Sequence, residues 1–207
     1  METITVVTAL TGDRDKLKPI EKIEGVRYIC FTDQDITSKT WEIVKACDKF
    51  DQCLNAKIHK VLIHKYIDTR YSIWLDASVE PRKNLVRMLE TVLKDDDIAV
   101  YSHLAHQRSD PVLKIEDEID SCIKLEKDKA ERILEQYKKH YYPERIPPVC
   151  TIIFRRHTPQ MERLNEKWWS EICRYSIRDQ LSFPYVFQDY YEIGGNIKED
   201  FTINAHL

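Results

Sequence analysis

The run Ile4–Leu10, ITVVTAL, constrains the fold more than any other stretch of the chain. It is uncharged, largely β-branched and without polar alternation, which fits a strand covered on both faces. Thr11-Gly12-Asp13 breaks it. Similar runs recur. Val26–Phe31 ends in Thr32-Asp33, Trp41–Val44 is a third, Tyr71–Leu75 stops at Asp76-Ala77-Ser78, Ile98–Tyr101 follows, and Val149–Phe154 is bounded by Arg155-Arg156. Helical spacing lies between them. Leu54, Ile58, Val61 and Leu62 place a helix over Cys53–Tyr66, Leu85–Leu93 is another, and Leu164, Trp168 and Ile172 form one stripe of Met161–Tyr175. Glu116–Tyr141 reads as one or two charged surface helices before the irregular segment set by Pro143, Pro147 and Pro148. The alternation predicts an α/β domain with a mixed, mostly parallel central sheet flanked by helices, to which the Cys150 strand and the tail Phe201–Leu207 add antiparallel members. With 207 residues and no repeat or linker, residues 1–207 form one domain in this reading.

The balance of 32 Lys plus Arg against 35 Asp plus Glu gives a net charge of -3 and argues against a nucleic-acid binder. Only 4 glycines are present, and neither GxxxxGK[ST] nor GxGxxG occurs, so phosphates would have to be held without a Gly-rich loop. Cys30, Cys47, Cys53, Cys122, Cys150 and Cys173 contain no CxxC pair and read as reduced, mostly buried thiols. The start lacks a signal-peptide pattern, and no stretch approaches the roughly 20 apolar residues of a membrane span. A cytosolic protein, or one domain of a larger one, is expected.

A parallel sheet binds ligands at the carboxyl ends of its strands. Thr8, Thr11 and Asp13, Thr32 and Asp33, and Asp76 and Ser78 fall there, although such residues also cap helices and close turns. Asp76 at the end of a buried strand suits Mg²⁺ or Mn²⁺, with Ser78 two residues on as a second contact; the alternative is a cap on the turn before Pro81. Lys57, Lys60, Arg155 and Arg156 are candidate diphosphate partners, with a solvated face favoured for Lys60 and Arg156. Arg178-Asp179-Gln180 stands at a helix start, where Asp179 is either a catalytic or sugar-binding carboxylate or an N-cap. Trp168 reads as core. His103 and His106 have ligand-like spacing, but structural or surface roles suit them better; His206 matters only if the tail folds back.

Taken in order, Tyr28-Ile29-Cys30-Phe31-Thr32-Asp33, Trp41, the Lys57–Lys60 helix, Ser72-Ile73-Trp74-Leu75-Asp76, His103–Arg108, Ile153–His157, Trp168-Trp169-Ser170-Glu171 and Arg178–Val186 resemble the GT-A fold glycosyltransferases of the TOD/MUCI type. The whole chain also resembles the amino-terminal glycosyltransferase domain of a large chlorella-virus protein. The resemblance implies a UDP-sugar donor, a divalent metal, typically Mn²⁺, and a glycan or glycoprotein acceptor. For the viral likeness it implies L-rhamnose transfer to a capsid glycan in the host cytoplasm. Asp76-Ala77-Ser78 stands where the family has Asp-x-Asp, with Ser78 replacing the second carboxylate, and His206 takes the place of a late metal-binding histidine. Thr8, Ala9 and Leu10 with Phe31, Thr32 and Asp33 are the implied nucleoside edge, and Lys57 the implied diphosphate partner. Asp179, flanked by Arg178 and Gln180, is the implied residue near sugar and acceptor, with a retaining outcome favoured over an inverting one. Rival readings are a nucleotide-sugar hydrolase and an inactive nucleotide- or carbohydrate-binding domain.

Overall fold

A computed structural model describes residues 4–13, 15–106, 115–120, 132, 135–137 and 146–203. The first strand, β1 (Ile4–Leu10), is buried along its whole length because strands flank it on both sides and helices cover both faces. It pairs parallel with β2 (Val26–Thr32) on one side and with β4 (Tyr71–Leu75) on the other. Beyond β2 lies β3 (Glu42–Lys45), also parallel. Beyond β4 the sheet turns antiparallel through β7 (Val149–Arg156), then continues with β6 (Ile98–Tyr101) and β8 (Tyr191–Ile193). The order is β3-β2-β1-β4-β7-β6-β8. The expected α/β architecture with a mixed, mostly parallel sheet is therefore present, with β7 as its antiparallel member.

Side chains alternate between two cores, as the period of a strand requires. Ile4, Val6 and Leu10 of β1, with Ile73 and Leu75 of β4, pack on one face with Leu85, Leu89 and Val92 of α2 (Leu85–Val92). Val7, Ala9, Phe31 and Trp74 face the other side. There they meet α1 (Gln52–Val61), α4 (Pro159–Arg174) and α5 (Asp179–Val186). Local chemistry fixes the helix starts. Asp51 accepts from the Cys53 and Leu54 amides at 2.9 and 3.0 Å, and Thr158 accepts from Met161 N at 3.2 Å with Pro159 just inside α4. Trp168 is fully buried on α4, as expected of a core residue.

The structure departs from the sequence reading in several places. The helix placed over Cys53–Tyr66 stops at Val61, and Ile63–Lys65 tightens into a 3₁₀ turn. The tail strand β9 (Phe201–Ile203) pairs antiparallel with β5 (Val79–Pro81) in a separate two-stranded ribbon. Three-residue strands such as β5 and β8 are too short to print a period in the sequence. Of the charged segment 116–141, α3 (Ile115–Asp120) and a few later positions are described; Cys122 and His140 lie outside the described residues. Among the described cysteines only Cys30 and Cys150 are buried; Cys47 and Cys53 are half-buried and Cys173 is exposed. Among the described residues no helix is long and apolar enough to cross a membrane.

Candidate active site

The chain runs from β1 to β2 on one side and reaches β4 on the other, so the strand order reverses between the carboxyl ends of β1 and β4, where an open α/β sheet leaves a crevice. A cavity of about 390 Å³ lies there, lined by Ala9, Lys57, Lys60, Asp76, Asp179 and Gln180 among others. A larger cavity, about 700 Å³, lies at the opposite edge against Ile4, Val26, Tyr71 and Arg156. It sits at the amino ends of the parallel strands, away from the crevice where ligands of such sheets bind.

The centre of the crevice is a charge cluster brought together by α1, β4 and α5. Lys57 Nζ lies 2.9 Å from Asp179 Oδ1, and Lys60 Nζ lies 2.6 Å from Asp179 Oδ2 and 3.4 Å from Asp76 Oδ1. The Trp74 indole donates to Asp76 Oδ1 at 2.6 Å. Burial alone would raise the Asp179 carboxyl, but Lys57 and Lys60 overcome it and hold the group well below the usual carboxylate range. Burial likewise pulls the Lys60 ammonium down, while Asp179 and Asp76 reverse this and leave it above the ordinary lysine value. Lys60 is 4 % exposed. The expectation of a solvated face for Lys60 is therefore wrong, because its three-residue spacing from Lys57 puts both on the helix face turned toward the sheet edge.

Asp179 is the first residue of α5, and the N-cap is Arg178, without a side-chain capping bond. The capping alternative for Asp179 fails, since its carboxylate is turned inward to the lysines; its backbone carbonyl accepts from Trp168 Nε1 at 3.1 Å. Arg178 Nε donates to buried Glu118 of α3 at 2.9 Å. Gln180 donates to Pro148 O at 3.1 Å and lies 3.0 Å from His103 Nε2. His103 is thus part of the crevice wall, and the polar flanks of Asp179 tie α5 to neighbouring segments.

The remaining candidates divide. The turn after β4 closes by Val79 N donating to Asp76 O, leaving the Asp76 carboxylate turned to the cluster rather than capping the turn. Ala77 lines the crevice; Ser78 is buried and does not. Of Thr8, Ala9 and Leu10, Ala9 reaches the crevice, while Leu10 packs in the opposite core and Thr8, on the same strand parity, has a buried hydroxyl with no hydrogen-bond partner among the described residues. Phe31 stacks on His59 with centroids 3.9 Å apart. Thr32 Oγ1 accepts from Gln34 N at 3.0 Å, and both Asp33 oxygens accept from Gly12 N at 3.0 Å, which clamps the loop after β1 to that after β2. Gly12 has φ +69, a left-handed conformation that strains an L side chain, so this turn favours glycine. Arg155 does not face the crevice: it is fully buried beneath α1, donates to Lys60 O at 2.9 Å and lies over the Trp168 ring. Burial lowers its guanidinium to about 9. Arg156 pairs with Asp97 at 3.0 Å, away from the site. His206 lies outside the described residues, but Ile203 pairs with Val79, three residues past Asp76.

A hard divalent cation takes several oxygen ligands. Asp76 fits as one of them, because its side chain is 33 % exposed and its Oδ2 lies outside the contacts that hold Oδ1. Among the described residues no group of three His, Cys, Asp or Glu converges on one point. A cation at Asp76 would need further ligands from phosphate oxygens, water or residues outside the described set.

The family model described as "TOD1/MUCI70, glycosyltransferase-like domain" matches residues 4–204. The probable hexosyltransferase MUCI70 of Arabidopsis thaliana is 27 % identical over 144 residues, covering 64 % of this chain and 24 % of the plant protein. Among solved structures, the bifunctional glycosyltransferase WbbM superposes with a TM-score of 0.51 at 12 % identity, over 90 % of this chain and 37 % of that one, a likeness of fold. The chain thus spans about a quarter of the plant relative and over a third of WbbM. With the match running through every strand of the sheet and through the crevice, the chain belongs to the TOD1/MUCI70 glycosyltransferase-like domain family.

Proposed function

We propose that this domain transfers a hexosyl or deoxyhexosyl group from a UDP-sugar to a hydroxyl of a glycan or glycoprotein acceptor, with Mn²⁺ or Mg²⁺ at Asp76. The observation that carries the reading is the Lys57–Asp179–Lys60–Asp76 cluster at the crevice between β1 and β4. Two ammonium groups in a sheltered cleft offset the charge that develops on a departing diphosphate, and a bound cation would add to this as a Lewis acid. Asp76 would hold the cation, and His206 is proposed as a second ligand carried by the tail. Asp179, held between both lysines, is proposed to orient the donor sugar, and the family resemblance favours a retaining outcome over an inverting one. The likeness to the chlorella-virus domain motivates an L-rhamnosyl donor, a capsid glycan acceptor and a cytoplasmic setting, within a longer protein.

The test is titration calorimetry of UDP with Mn²⁺ and with EDTA, preceded by a thermal-shift screen of nucleotide sugars. Affinity that rises at least tenfold with metal supports the site, and equal affinity refutes it. One rival has a specific observation behind it: Ser78, where the resemblance implies a second carboxylate, does not line the crevice, as in a domain that binds nucleotide without turnover. Sugar transferred to added glycan excludes that rival, and free sugar released at a rate indifferent to glycan assigns hydrolysis instead.

A further inference from the structure

The crevice contains a cation of its own. Lys60 is buried, with Nζ between the two carboxylates, 2.6 Å from Asp179 Oδ2 and 3.4 Å from Asp76 Oδ1, and it lies 5.7 Å from the centre of the Trp74 ring whose indole binds that same Asp76 oxygen. Its backbone is pinned as well, since Arg155 Nη1 donates to Lys60 O at 2.9 Å from beneath the helix. A lysine held at both ends cannot swing out of the cleft as an exposed one would. With Lys57 on the other Asp179 oxygen, the cluster of two lysines and two aspartates carries no net charge.

Resting on the proposed reading of Asp76 as metal ligand, we infer that Lys60 is a built-in counter-cation that makes metal and nucleoside diphosphate bind as a unit rather than metal alone. The reasoning is electrostatic. A divalent cation at Asp76 meets a carboxylate already offset by an ammonium 3.4 Å away, and suffers repulsion from that ammonium. A diphosphate arriving alone would be drawn to the lysines but would crowd its own charge against Asp76 and Asp179. The two together add nearly compensating charges to a cluster that is balanced before they come. Lys60 is a positioning residue in this scheme, acting through Asp76 on the metal and through Asp179 on the sugar.

Repulsion between an ammonium and a divalent cation a few ångströms apart is worth at least one factor of ten in affinity even at the effective dielectric of a partly wet cleft, about 20. Removing it should therefore strengthen Mn²⁺ binding in the absence of nucleotide, whereas loss of a purely structural lysine would weaken or leave unchanged every affinity.

The experiment counts free Mn²⁺ by its electron paramagnetic resonance signal in titrations of the whole chain at 10 °C, with and without UDP. Circular dichroism on the same samples reports the fold. In the wild type, Mn²⁺ alone should bind weakly, and UDP should tighten it at least about tenfold. In Lys60→Met, Mn²⁺ alone should bind at least about tenfold tighter than in the wild type, and the benefit of UDP should shrink by a similar factor. Should Lys60→Met fail to fold, Asp179→Asn tests the same charge from the other side. There Lys60 loses its closer partner and presses on Asp76, so Mn²⁺ alone should bind more weakly than in the wild type. Folded variants with wild-type affinity for Mn²⁺ alone, beside a wild type that still binds Mn²⁺ with UDP, overturn the role of Lys60 and leave the metal site standing. A wild type that takes up no Mn²⁺ in the presence of UDP overturns both.

Discussion

Replacing Asp179 with Asn removes one charge from a place where it faces two. Asp179 is 4 % exposed and receives Lys57 at 2.9 Å and Lys60 at 2.6 Å. Taking one partner from a buried ion pair costs about 3–5 kcal/mol, because the charge left behind stays desolvated. Lys57 reaches water, with 17 % of its side chain exposed, and Lys60 keeps Asp76, so the cost should fall near the lower end, about 3 kcal/mol. For a chain of this size that is a drop in Tm of about 6–12 °C. The variant should still fold at 20 °C, since domains commonly hold about 5–15 kcal/mol. The pH dependence carries a sign. Asp179 is held below its unfolded value, so its contribution is full above the unfolded carboxylate pKa of about 3.9 and is lost as pH falls through the folded one. Lys60 is held above its unfolded value, so its share is full below about 10.4 and is lost as pH rises through its folded value. Urea unfolding followed by circular dichroism should show a gap between wild type and variant that is flat from about pH 5 to 9 and begins to narrow below about pH 4. A Tm change under about 2 °C at pH 7, or a gap that persists in acid, would refute the buried triad.

Three further outcomes are expected. Asp76→Asn should keep its Tm within about 3 °C, because its side chain is partly open to water, yet lose the metal-dependent part of UDP affinity; unfolding seen by circular dichroism would instead make Asp76 structural. Deleting residues 204–207 should raise the Mn²⁺ concentration for half-maximal transfer, and an unchanged titration would remove His206 from the site. Burial holds His59 at about 4, below its unfolded value of about 6.5. Its contribution is therefore full above about 6.5 and declines as pH falls toward 4, and His59→Asn should flatten that slope in urea unfolding between pH 6.5 and 4; an equally steep slope assigns the acid loss to other groups.

What the sequence revealed, and what it hid, divides by range. β1 and β4 have the bounds expected of them, because a strand buried on both faces writes an uncharged, mostly apolar run that ends at a polar turn. The start of α5 was legible from Arg178-Asp179-Gln180, but the direction of the Asp179 side chain was not, because Lys57 is 122 positions away and a cap needs only its own neighbours. Arg155 is a different case. Its placement after an apolar run suggested a phosphate ligand, yet β7 runs antiparallel, so its carboxyl end lies at the far side of the sheet from the crevice. The antiparallel direction expected of the Cys150 strand carries that consequence, since a residue at its carboxyl end lies at the amino ends of the parallel strands. Lys60 looked like a solvated helix residue because burial of lysine depends on partners that no helical wheel contains.

The ribbon of β5 and β9 gives the crevice a timetable. Val79, just past the Asp76 turn, pairs with Ile203, and Arg82 Nε donates to Thr202 Oγ1 across 120 positions of sequence. During synthesis, β1, β2 and β4 can pair as soon as they emerge, but the turn that presents Asp76 gains this support only after nearly the whole described chain has left the ribosome. Contacts so distant in sequence form late, after the entropy of closing the long intervening loop has been met. A nascent chain stalled short of residue 201 would therefore hold a formed parallel sheet without the ribbon beside the Asp76 turn, and emergence of Phe201–Ile203 becomes the event that braces it.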